Sequence, residues 1–175
     1  FKSLMPTVYA AIFIGLAITF YSKSLIETNV VRATLLFYLT PIWSTIFGIL
    51  WLSETLTYTR IISIIIAFFG MYLLLSGNQS FGQPLNIGDL YGFLSGVFWG
   101  LGATFIKRWS NMHVITLATL CFIFTTIYSS LFAIFIYKTT YPDLFLIKSS
   151  IPIIFVWSII LLLPSFCIIF FVAKY

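Results

Sequence analysis

Charge is what this chain has least of. Of 175 residues only four are acidic and nine are Lys or Arg, so 7% are charged while 61% are hydrophobic, and the mean hydropathy is +1.11. A soluble globule carries roughly a quarter charged residues, so this sequence cannot coat a water-facing surface. The basic residues are scattered rather than gathered into a run. That removes a nucleic-acid partner from consideration despite the net charge of +5. The single histidine, His113, stands beside Asn111 with no carboxylate near it in sequence, so no catalytic pair is expected. Cys121 and Cys167 fall in apolar runs without a His or Cys at ligand spacing. They read as small buried hydrophobes, which leaves no metal or cofactor site and no enzyme.

What is present is a series of apolar segments. They run over 6–25, 30–54, 60–75, 89–106, 114–137 and from 151 onward, and most are long enough for a bilayer's hydrocarbon layer of about 30 Å. The expected fold is all-α: a polytopic membrane helix bundle of about six transmembrane helices. Small residues recur at positions that let helices approach closely, at Ala11, Gly15 and Thr19, at Ser63, Ala67 and Gly70, and at Gly88, Gly92, Gly96 and Gly100. The last of these rows is too costly in helix propensity to be idle, at roughly 1 kcal/mol per glycine relative to alanine. Pro152 suits a first turn, whereas Pro164 is expected inside the last helix, bending it. The clearest break in the chain is S-G-N-Q-S-F-G-Q-P-L-N-I-G, 76–88, rich in turn-forming residues.

The stretch 30–54 is expected to organise the rest. As one continuous helix it gathers Leu35, Leu39, Ile42, Ile46, Ile49 and Leu50 on one side and Thr34, Thr40, Pro41, Ser44, Thr45 and Gly48 on the other. Hydrocarbon offers a hydroxyl no partner, so the polar side must face protein or a water-filled path. Pro41 lacks an N–H and frees a carbonyl near the middle, which Ser44 and Thr45 can help satisfy. Two readings stand: a kink in a packing helix, or a broken helix lining a substrate cavity.

These residues carry a resemblance. R-A-T-L-L-F-Y-L-T-P-I-W-S-T, then L-S-E-T-L-T, and an apolar helix ending in L-L-L-S-G resemble the EamA-type permeases of the drug/metabolite transporter superfamily. Glu54 stands where that family carries a Glu after the fourth helix of a five-helix repeat, and Pro41 where it carries a mid-helix proline. The resemblance implies part of a 5+5 inverted-repeat fold: the last three helices of one repeat over 1–77, an inter-repeat loop over 78–88, and the first three helices of the next over 89–175. A weak internal echo, with Ser24 laid on Ala173, has a shift of about 149 residues, close to one such repeat. On that register the chain is a fragment, helices three to eight of ten.

The resemblance further implies a multi-pass protein of the bacterial inner membrane that moves a small metabolite such as an amino acid or amine by alternating access, with a coupling ion and a homodimer both open. Tyr38, Thr40, Ser44, Thr45 and Trp99 are candidates for substrate contact. Arg32 either snorkels to the headgroups or draws an anionic group to the pore mouth. Pro41 and Pro164 are the expected helix breaks, Glu54 a helix-end contact, and Gly15, Gly70, Gly92, Gly96 and Gly100 the close-packing positions. From a different class, a membrane module that transports nothing and packs against a partner protein would use the same small-residue rows.

Overall fold

The computed structural model describes residues 4–76, 84–109, 111–137 and 163–174, together with Val156 and Ile160. Among them every regular element is helical: α1 (Leu4–Glu27), α2 (Val30–Phe37), α3 (Thr40–Leu52), α4 (Tyr58–Ser76), α5 (Ile87–Arg108), α6 (Val114–Tyr137) and α7 (Leu163–Lys174). Among the described residues, three spans are long and apolar enough to cross a membrane: α1, the α2–α3 pair taken together, and 114–133 of α6. The chain is an all-α membrane helix bundle.

The packing axis is α1 against α5, with α6 also against α1 and the α2–α3 pair against α5. The two central helices run antiparallel, and aromatic side chains spaced by seven residues mesh between them. Phe20 stacks on Tyr91 and Phe98 at 5.7 and 5.6 Å, and Phe13 on Phe98 and Phe105 at 6.3 and 5.5 Å. Each such pair contributes about 0.5–1.5 kcal/mol beyond its buried area. The small-residue row of α1 is buried as expected: Gly15 lies against the α6 backbone, where an added Cβ would come within 3.2 Å of the Thr125 nitrogen.

The glycine row of α5 tracks a changing partner. Successive i, i+4 positions rotate by about 40° around a helix. Gly88 therefore meets the α1 terminus at Glu27 and Thr28, Gly92 meets Ser24 and Leu36, Gly96 meets the Leu36 and Phe37 carbonyls, and Gly100 meets Trp43 and the Ser44 nitrogen. Gly102, outside the expected row, faces Ile14.

One expectation fails here. Gly70 has no atom within 4 Å of where its Cβ would be, and none of the described α4 side chains is fully buried, so the small face of that helix is not a packing face among the described residues. Pro164 stands near the described start of α7, and the residues before Leu163, over which the expected bend would show, lie outside the described ones. Most of the break at 76–88, and the segment with Tyr141 and Pro152, lie outside the described residues.

Candidate functional site

The stretch expected to be one helix is two. α2 ends at Phe37, the chain turns through Tyr38 and Leu39, and α3 begins at Thr40 with Pro41 in its first turn. The turn is held by Tyr38 N–H donating to the Thr34 carbonyl at 2.9 Å and Leu39 N–H to that of Leu36 at 3.2 Å. Pro41 has no N–H for the Phe37 carbonyl four residues back. Thr40 takes its place, its hydroxyl donating to that carbonyl at 2.5 Å, and Thr45 donates to the Pro41 carbonyl at 2.6 Å. The disruption is therefore repaired by hydroxyls, with Thr40 in the part expected of Ser44.

Beside this break lies a cavity of about 780 Å³. Leu35, Tyr38, Thr40, Pro41 and Ser44 form one wall, and Ile64, Ala67, Phe68 and Gly70 of α4 form the other. Trp99 of α5 and Ile169 of α7 complete it, with the indole edge-on to Phe37 at 5.6 Å. Leu39 and Ile42, from the supposedly apolar side of the continuous helix, also line it. Sorting by a single 100° wheel cannot hold across a break that resets the helix phase. Four of the six expected contact residues, Tyr38, Thr40, Ser44 and Trp99, are brought together; Thr45 and Arg32 are not.

Thr45 is buried, and its hydroxyl is committed to the backbone. Arg32 is paired inside the bundle. Its Nη2 donates to Asp89 Oδ2 at 2.6 Å, and the two side chains are 11% and 4% exposed. Asp89 also accepts from Thr28 Oγ1 at 3.0 Å and from the Asn86 backbone N–H at 2.9 Å, closing a capping box at the start of α5. An acid at the head of a glycine-rich apolar helix, three residues after an Asn, was the signal for this site. The pair fastens the start of α2 to the start of α5.

The opposite end of α5, about 27 Å away at 1.5 Å per residue, carries a second clasp. Ser53 ends α3 in the left-handed region at φ 53°, which turns Glu54 back under Gly48. Its carboxylate takes Lys107 Nζ at 2.5 Å and Arg60 Nη1 at 2.7 Å, joining α3, α4 and α5. Arg108 donates to the Trp51 carbonyl as well. Glu54 is thus a helix-end contact. The hydrogen bonds from Lys107 and then Arg60 hold its carboxyl below the ordinary 4.5. A folded pKa below the unfolded one contributes stability that is complete above about 4.5 and is lost as pH falls through the folded value. Thermal unfolding followed from pH 7 down to pH 3 should show a loss starting below that point. Glu54→Gln should flatten it, and an unchanged acid limb in that variant would count against the clasp.

Residues 1–76 match the model of the EamA-like transporter family. No curated protein and no solved structure matches the chain. The matched segment holds α1 through α4, including the break and both walls of the cavity that α2, α3 and α4 provide. The apolar spans make this an integral membrane protein.

Proposed function

We propose, starting from a segment 1–76 that matches the EamA-like transporter family, that the cavity beside the Tyr38–Thr40 break is the solute site of a drug/metabolite transporter working by alternating access. The observation that carries this is the cavity itself. It opens where α2 gives way to α3 and collects Tyr38, Thr40, Ser44 and Trp99 from two helices that the glycine row holds in close approach. A broken helix with its polar groups turned to a cavity is the usual way a transporter binds at membrane depth.

The two clasps at the ends of α5 suit such a cycle. Each joins the α2–α3 unit to α5, and exposing the site to one side or the other would open one of them while Gly92, Gly96 and Gly100 slide. We place the action in the bacterial inner membrane, with residues 1–77 and 89–175 contributed by two inverted repeats and a gradient of an ion or solute as the driving force.

Uptake of a labelled metabolite panel by the complete protein in liposomes tests the site. Ser44→Trp, which fills the cavity from α3, should lower uptake of every transported solute by at least about tenfold, a change worth about 1.4 kcal/mol in the barrier. Undiminished uptake would move the route elsewhere.

A further inference from the structure

The charged side chains of the α1–α5 region are gathered at helix ends. Lys23, Glu27, Arg32 and Asp89 are paired at one end of the bundle, and Glu54, Arg60 and Lys107 at the other. The cavity between has no ionisable side chain among its described lining residues apart from the Tyr38 phenol. Its walls are aliphatic, as at Leu35, Ile42 and Ile64, or aromatic, as at Phe37, Phe68 and Trp99.

The polar groups that remain are few and of one kind. Thr40 has its hydroxyl proton committed to the Phe37 carbonyl and offers only lone pairs. The hydroxyls of Ser44 and Tyr38 make no hydrogen bond among the described residues and can donate or accept. Moving a carboxylate or ammonium from water into such surroundings costs several kcal/mol that only an opposite charge or a dense set of hydrogen bonds repays. Neither is present among the described lining residues.

We infer that the solute bound beside Tyr38, Thr40 and Ser44 is uncharged and mainly apolar, a ring or branched aliphatic body with one or two hydroxyl or carbonyl groups, rather than a free amino acid or amine. The inference rests on the reading of the cavity as the solute site. The aromatic walls take the body of the solute by area and stacking, and the two uncommitted hydroxyls take its polar end.

Four probes share a phenyl ring on a short chain and differ in charge: 2-phenylethanol, phenylacetate, 2-phenylethylammonium and phenylalanine. Equilibrium dialysis of each, radiolabelled, against the complete protein in lipid nanodiscs, with empty nanodiscs subtracted, gives the saturable binding. The neutral alcohol should bind at least about tenfold tighter than any charged probe. Ser44→Trp on α3 and Ala67→Trp on the exposed α4 should each remove that binding, and thermal unfolding of both variants shows that they fold. A charged probe bound as tightly as the alcohol and lost in both variants would overturn the solute class while keeping the site. Saturable binding that survives both variants would overturn the site and the class together. No saturable binding of any probe would overturn the class, leaving the liposome uptake of Ser44→Trp to judge the site.

Discussion

Asp89→Ala is expected to destabilise the protein by about 3–5 kcal/mol, the cost of stranding one member of a buried ion pair, with about 1 kcal/mol more for the lost helix cap. The Arg32 guanidinium would keep its burial and lose its carboxylate, and its Nη1 already has no hydrogen-bond partner among the described residues. Arg32→Ala should cost less, because Asp89 would still accept from Thr28 and from the Asn86 N–H. The double variant should then be less unstable than the sum of the two, with a coupling of about 1–3 kcal/mol. Thermal unfolding of the four proteins in one detergent measures it. A change under about 0.5 kcal/mol for Asp89→Ala, the range of an ordinary surface substitution, would show that the pair does not hold α2 to α5.

The second large effect concerns two glycines that look alike in the sequence. At Gly100 a Cβ would sit 2.8 Å from the Trp43 Cβ and 3.0 Å from the Ser44 backbone nitrogen, which belongs to α3 and cannot rotate away. Gly100→Val must push α3 off α5, at a cost of about 1–3 kcal/mol or more. Gly70 has open space around it, so Gly70→Ala should instead stabilise α4 by about 0.5–1 kcal/mol, through the backbone entropy that glycine loses in a helix. Opposite shifts in unfolding temperature are the expected result. Two shifts of the same sign would mean that the α3–α5 contact or the open face of α4 is wrongly placed.

These two glycines also show where sequence reading stops. Periodicity finds a small residue on a helix but not the helix that comes to meet it. The α5 row does receive neighbours, whereas Gly70 and Ala67 border the cavity. Pro41 marked the break correctly, because a missing N–H is a local fact that no tertiary contact restores. The assignment of faces around it was not legible. It assumed one helix phase from Val30 to Glu54, and the turn at Tyr38 and Leu39 gives α3 a phase of its own. Tyr38, Thr40, Ser44 and Trp99 were found as candidates, but by residue type, and the same reasoning admitted Arg32 and Thr45. Asp89 was overlooked because its partners stand 57 and 61 residues earlier, at Arg32 and Thr28.

Composition and periodicity by themselves determined that this chain is a helical membrane protein, that its second span is interrupted, and that α5 must be approached closely by another backbone. Those properties follow from transfer free energy, from the chemistry of proline and from the cost of glycine in a helix, all of which act over one turn or one span. Only the tertiary structure decided that the interruption opens onto a cavity shared with α4, that Arg32 is spent on Asp89, and that the α2–α3 unit is tied to α5 by an ion pair near each of its ends. The partners in each case are brought together by packing across long stretches of chain, and a charge or a hydroxyl acquires its role from what it meets there.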